Sequence, residues 1–463
     1  MEGIIVLISY FVIMMLVTIL LTKKEKNIES FHVADRNMNT FSSAMSIAAT
    51  WIWAPALFVS AEKAYLNGWV GLFWFLVPNV LCLILFIPFA KKIREQMPKG
   101  ITLSGYMYNK YKSKKVKNIY LFQLTSLTIL STAVQLLAGG KILSSVTGIP
   151  FYIITIVLSV IALSYSTISG IRASVITDTL QMLLILIACL VFVPWALSTD
   201  NGMQNLMAGF TGVTREYTSL FNTKGLEVFF AFGLPTAIGL IAGPFGDQCF
   251  WQRTFSIKKE KIGKSFMLGA ILFGIVPLSM GILGFISAGS QLVFQDSSIV
   301  NFEFITQLFP KWVVLPFLFM LISGLLSTVD SNLCAIASLT TDITKIKDVR
   351  IPKIAMIILL IIGILIANIK NLSITDLFLT YGTLRATTLL PTVMTLKNIK
   401  LNERGIYFGI IASLVIGLPI FAYGTILNIS LYKTLGSLIT VATSGIVALC
   451  VTKRSKDNEN CIR

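Results

Sequence analysis

Ser323, Gly324, Ser327, Thr328, Asp330 and Ser331 crowd one otherwise apolar stretch, LFMLISGLLSTVDSNL. At helical spacing Gly324, Ser327, Thr328 and Ser331 follow i, i+3, i+4, i+7 and share a face, which makes a stripe of hydroxyls. Hydroxyl oxygens joined by unpaired backbone carbonyls form a hard, low-charge cage. Such a cage suits a partly dehydrated monovalent cation, sodium first, better than a transition metal. A divalent ion would recruit more carboxylates than Asp330 alone. The same stripe also suits close helix packing, with each hydroxyl bonding back to its own helix.

Free carbonyls need a broken helix, and two stretches supply breaks. In SIAATWIWAP (46–55), Pro55 lacks a backbone donor and disfavours helical geometry before it, which frees carbonyls near Ala48 to Ile52. In GLIAGPFGDQ (239–248), three glycines and a proline fall within eight residues. An irregular backbone survives in a bilayer only where protein or a water-filled cavity satisfies it, so interrupted spans point to binding sites.

A bilayer is what the composition demands. The 463 residues are 55% hydrophobic and 13% charged, with mean hydropathy +0.81, a balance that a soluble globule could not bury. Apolar spans of crossing length fall at 2–22, 41–60, 70–90, 119–140, 151–168, 173–198, 227–250, 265–289, 311–341, 353–369, 373–396, 405–426 and 432–452. The two breaks lie five spans apart. The sequence therefore predicts an all-α integral membrane protein of about thirteen transmembrane helices, with two inverted five-helix repeats at 41–198 and 227–396. An additional helix at 1–22 precedes them, and helices at 405–452 and a cytoplasmic tail at 453–463 follow.

Charge orients the bundle. With an outward N-terminus, the cytoplasmic segments hold every Lys and Arg except Lys63, Lys141, Arg215, Lys224, Lys311, Lys370, Lys433 and Arg385, so the positive-inside rule predicts N-out, C-in in a cell membrane. The net charge of +17 is then an orientation signal facing anionic lipid, and the basic run Lys110 to Lys117 is not a nucleic-acid site. The first span lacks a basic leader and a small-residue cleavage site and reads as retained. The six cysteines have no CxxC spacing, and neither disulfides nor a metal cluster are expected. His32, the only histidine, falls in a polar loop. No clustered His, HExxH or Ser/Lys pair is present, so an enzyme is not expected.

The stretches SGLLSTVDSNLCAIASLTTDI (323–343), SGIRASVITDTLQ (169–181) and DQCFWQRTFSIK (247–258) resemble, in order, three segments of the sodium:solute symporter family. The resemblance implies the APC/LeuT-like fold of two inverted repeats and sodium as the coupling ion. It also implies a sodium site built from the carbonyls of Ala48, Trp51 and Gly324 and the hydroxyls of Ser327 and Thr328. Asp178 matches a motif carboxylate and is a candidate for tuning that site, or else a helix-start acid beside a basic loop.

Within the family, WIWAPALFVSAEKAYLNGWVGLFWFL (51–76) and DQCFWQR resemble the urea-transporting branch, with Phe250 where that branch carries Tyr. Thr50, Trp53, Trp74, Tyr381 and Arg385 are the substrate candidates, with Trp51 and Phe73 as further aromatic walls. Arg385, inside a span, argues for a small carboxylate or amino-acid-like anion over urea. An internal ion pair with Asp330 or Asp376, or snorkelling to the membrane edge, remains open. Asp247, Gln248, Gln252 and Arg253 are expected to form an intracellular gate or to lock the second broken span to its loop rather than touch substrate. The function expected is sodium-coupled symport of a small polar solute, with a non-transporting sensor on the same fold as the alternative.

Overall fold

The computed structural model describes residues 2–22, 25, 27–290, 292–344 and 348–461, and side chains within 3–454. After α1 (Glu2–Leu21) and a single turn α2 (Ile28–Val33), a first set of helices follows: α3 (Thr40–Trp51), α4 (Ala54–Leu57), α5 (Val59–Gln96), α6 (Leu103–Tyr111), α7 (Lys114–Thr147), α8 (Phe151–Ser169) and α9 (Ile171–Ser198). The loop beyond holds α10 (Gly202–Gly209). A second set repeats the order as α11 (Thr223–Val228), α12 (Leu234–Ile241), α13 (Gly243–Gly246), α14 (Gln248–Ser256), α15 (Ile262–Gly289), α16 (Val300–Leu308), α17 (Val314–Ile343), α18 (Arg350–Ala367) and α19 (Ile374–Leu396). Then come α20 (Glu403–Ala412), α21 (Leu418–Ile426) and α22 (Ser430–Cys461).

Each set is a broken helix, a long helix, a short one, a long one and two more. The packing repeats with the order. The broken α3 lies on α15 and α9, and the broken α12 lies on α5 and α19; α7 touches α18 and α19, and α17 touches α8 and α9. Five crossings per set is an odd number, so the second set enters the bilayer from the opposite face, and the two sets are inverted repeats.

Among the described residues, eleven helices are long and apolar enough to cross a membrane. The two expected spans outside that number are 41–60, which is broken, and α19, whose threonines, Asp376 and Arg385 lower its hydropathy. Enclosure rises toward the centre: 28% of the α1 window is buried against 78% for the window containing α17. Two glycines allow close approaches there. Gly68 bends α5 at φ +58, where a Cβ would stand 2.6 Å from the Phe210 carbonyl oxygen, and a Cβ on Gly239 would stand 2.6 Å from the Cα of Gly382. The second contact brings α12 against α19.

Two features depart from expectation. The segment read as a tail, 453–463, continues α22 as helix to Cys461, while 462–463 and the Cys461 side chain lie outside the described residues. His32 is not solvated: it is 1% exposed on α2, against Phe31, with both ring nitrogens unpartnered. Burial pushes its ring down to about 4.

Candidate functional site: an oxygen cage beside a closed aromatic cavity

The first break follows from Pro55. Asn39 caps α3 by accepting the Ser42 N–H at 2.9 Å, and the helix holds until Ile52 (φ −81, ψ 77) and Trp53 (φ −98, ψ 174) turn extended. Side chains from other helices satisfy the loose ends, as a bilayer interior requires. Gln135 of α7 accepts the Ala54 N–H at 2.7 Å, and Asn301 of α16 donates to the Leu57 carbonyl at 2.9 Å.

α17 passes this opening at Gly324. A Cβ there would meet Leu57 Cδ1 at 2.8 Å and Ile52 Cγ2 at 3.2 Å. Ser327 Oγ lies 3.0 Å from the Ala49 carbonyl oxygen and 3.0 Å from that of Gly324. Thr328 Oγ1 lies 3.3 Å from the oxygen of Thr50, and 3.4 Å from those of Ile52 and Gly324. Two hydroxyls and four carbonyls, all neutral and buried, therefore converge, a donor set that fits an alkali cation.

The carbonyls within reach of the two hydroxyls are those of Ala49, Thr50, Ile52 and Gly324. Of the other two carbonyls expected in the cage, that of Ala48 accepts the Ile52 N–H at 2.8 Å, a donor it shares with Ala49 at 3.1 Å. That of Trp51 stands four residues before Pro55, which has no N–H to offer it.

Behind the cage lies a charged network. Asp178 and Arg253, both fully buried, pair at 2.9 Å. Ser46 donates to Asp178 at 2.5 Å, and Arg253 donates to Ser331 at 2.7 Å. Ser331 lies 2.8 Å from the hydroxyl of Thr50, so hydrogen bonds run from Asp178 through Arg253, Ser331 and Thr50 to Thr328. Asp330 turns away to α9, accepting from Ser174 at 2.8 Å and Thr177 at 3.3 Å.

The second break joins a different site. α12 ends at Ile241, the single turn α13 follows, and only Asp247 (φ −101, ψ 121) is extended. Asp247 accepts from Arg385 Nη2, and from Tyr381 Oη at 2.7 Å. Of the alternatives open for Arg385, the internal ion pair is present, with Asp247 in place of Asp330 or Asp376; Asp376 meets Lys433 at 3.4 Å. The guanidinium lies 3.7 Å from the Tyr381 ring centre, 4.9 Å from that of Trp53 and 5.1 Å from that of Trp51. Thr50, Ser131, Cys249, Phe250, Thr328 and Asn332 complete a cavity closed to about 10 Å³.

Of the substrate candidates, Thr50, Trp53, Tyr381 and Arg385 line this cavity and Trp74 does not. Trp74 packs on Phe229 and Phe73, where Gly233 makes room for its ring, while its neighbour Phe75 and Asn79 one turn on meet Phe378 and Trp51, so Trp74 lies on another face of α5. The four gate candidates also part company. Asp247 turns into the cavity and Arg253 into the charged network. Gln248 donates to the Ile101 carbonyl at 2.9 Å and to Ser338 at 3.0 Å, and Gln252 donates to the His32 carbonyl at 2.8 Å. A wider recess of about 920 Å³ opens between Lys63, Asp376 and Lys433, beyond the contact of Phe378 with Trp53. Gln135, Ser131 and Asn332 escaped sequence reading, since a lone amide or hydroxyl on a long helix carries no local signal.

Residues 31–413 match the family model of the sodium:solute symporter family. The chain belongs to that family. Among symporter relatives, the sodium/pantothenate symporter of Escherichia coli is 22% identical over 453 residues, 92% of this chain and 91% of that protein. Probable urea active transporter 2 of Schizosaccharomyces pombe is 22% identical over 284 residues, 59% of this chain. The chain spans about two fifths of the length of the fungal urea transporters it matches, 42% in that case. The solved structure of a Na+-coupled sialic acid symporter superposes with a TM-score of 0.77 at 18% identity, over 97% of this chain and 98% of that one. Symporter fold and multi-pass membrane architecture are thus established for this chain.

Proposed function

We propose that this protein is a sodium-coupled symporter that carries a small polar solute across a cell membrane by alternating access. The observation that carries the reading is the cage: two α17 hydroxyls meet carbonyls released by the first helix break, at the seam between the two repeats and in the wall of a closed cavity. Thr50 and Thr328 belong to both cage and cavity, so occupancy of one bears on the other. A cation that joins the α3–α4 break to α17 favours whichever conformation keeps them together, and differential affinity of this kind couples ion to solute. At 100 mV each inward sodium contributes about 2.3 kcal/mol before any concentration term.

In this reading the repeats run over 41–198 and 227–396, the N-terminus faces out and the C-terminus faces the cytoplasm. Asp178 and Arg253 tune the cage through Ser331 and Thr50, and Gln248 and Gln252 hold the gate side. Relatives named for urea and for pantothenate leave both a urea-like solute and a small organic anion as cargo classes. The deciding measurement is thermal stabilisation of the detergent-purified protein by sodium against potassium and choline, in wild type and in Ser327→Ala/Thr328→Ala. Sodium-specific stabilisation that the double variant loses is expected, since a ligand of the native state raises stability by mass action. An equal response to all three cations would reduce the stripe to packing and favour a non-transporting sensor.

A further inference from the structure

Resting on the sodium-coupled reading, we propose that the solute is a small monocarboxylate bound by Arg385, and that Asp247 is the internal counter-ion that holds this arginine while the cavity is closed.

The buried polar atoms left without partners among the cavity-lining residues are Arg385 Nε, Arg385 Nη1 and Trp53 Nε1. All three are donors. A carboxylate brings only acceptors and answers them, whereas urea or a primary amide also brings N–H groups, and no buried acceptor on these side chains is without a partner to call for them. Asp247 engages Arg385 through Nη2 alone, and a guanidinium has five N–H donors in a plane, so it has room for a second planar anion. The guanidinium carbon lies over the Tyr381 ring, 3.7 Å from its centre, which restrains the group.

Charge points the same way. Arg385 and Asp247 cancel within the cavity wall. A sodium on the adjoining cage adds one positive charge at Thr50 and Thr328, which a monocarboxylate neutralises and a neutral solute does not. Coupling then has a physical cause: each ion lowers the cost of burying the other. The second break is the moving part, because Asp247 sits in its one extended residue and shares Arg385 with whatever enters.

The full chain in detergent would be titrated in sodium and in potassium with acetate, propionate, lactate, glycine and pantothenate, then with propionamide, lactamide and urea. The readouts are thermal shift and tryptophan emission, because Trp51 and Trp53 lie on Arg385. Saturable responses to one or more carboxylates, only in sodium and absent for the amides and urea, are expected. Arg385→Gln should weaken the carboxylate response by about a hundredfold or more while sodium alone still stabilises. Should that variant fold poorly, Arg385→Gln/Asp247→Asn removes both charges and carries the same prediction. Urea or amides matching the carboxylates, silence of every carboxylate in a sodium-stabilised wild type, or a full carboxylate response in the double variant would each overturn the proposal. Carboxylate binding that ignores sodium would support the carboxylate site and overturn its coupling. Absence of sodium stabilisation in the wild type would instead sink the transport reading on which the proposal stands.

Discussion

The two helix breaks occupy matching positions in the two repeats and do different chemistry. At the first, Pro55 opens the backbone, and what faces α17 is carbonyl oxygen with no ionisable group. At the second, the backbone closes on itself: Ala242 accepts the Gly246 N–H at 2.9 Å and Gly243 accepts the Asp247 N–H at 3.1 Å. The carbonyls of Ala242, Gly243 and Phe245 are occupied, and the charge the break contributes is a side chain, Asp247 against Arg385. Pro55 stands alone and leaves main-chain oxygen exposed, whereas Pro244 stands among glycines that permit a tight turn and close approach, and that turn delivers a charge to a chosen point. Inverted topology supplies two equivalent openings, and local sequence decides that one is neutral and the other ionic.

The largest test of this contrast is to remove one charge at the second break. Asp247→Ala leaves Arg385 buried without a partner and should cost about 3–5 kcal/mol, read by denaturation in detergent. Asp247→Asn/Arg385→Gln should recover most of that loss, and a double-mutant cycle without coupling would refute an ionic break.

Away from both breaks, His32 tests the contact between their helices, since its carbonyl receives Gln252 of α14. The ring titrates near 6.5 in the unfolded chain and near 4 when folded. Between these values the unfolded state binds the extra proton, so stability is fully present above about pH 6.5 and is lost as pH falls toward 4, by about 3 kcal/mol in total. A His32→Phe variant should lose that pH dependence, and a wild-type melting temperature that stays flat from pH 7 to 4 would show the ring is not buried neutral.

At the first break the effects are smaller and specific. Without sodium, Ser327→Ala and Thr328→Ala should each cost only about 1 kcal/mol, the value of a neutral hydrogen bond. The difference from wild type should widen as sodium is added. Smallest in chemistry, yet aimed at the break itself, is Gln135→Leu. It leaves the Ala54 N–H without its acceptor and should cost about 1–3 kcal/mol of stability and weaken sodium stabilisation. Unchanged melting with and without sodium would mean the break does not need that cap.

Much of this was readable before any tertiary contact. Spans, the Pro55 break and the shared face of Gly324, Ser327 and Thr328 are properties of windows a few turns long. The misreadings share a cause. Which carbonyls approach the hydroxyls depends on the unwound residues at 52–53 and on α17 beside them, and no local window carries that. Trp74 was placed in the cavity as one of an aromatic run, but Phe75 and Asn79 take the side of α5 toward Phe378 and Trp51 and Trp74 turns to Phe229. The acidic partner of Arg385 was not among the alternatives weighed, because Asp247 stands 138 residues away in sequence.

The sequence by itself determined a helical membrane bundle, two breaks five spans apart, and a neutral hydroxyl stripe of the kind that suits sodium. Only the tertiary structure decided which carbonyls meet that stripe, which carboxylate holds Arg385, and that Thr50 and Thr328 serve both cage and cavity. Hydropathy, helix spacing and proline act within a few residues of the chain. Ion pairs and oxygen cages depend on which helices the packing brings within about 3 Å of one another.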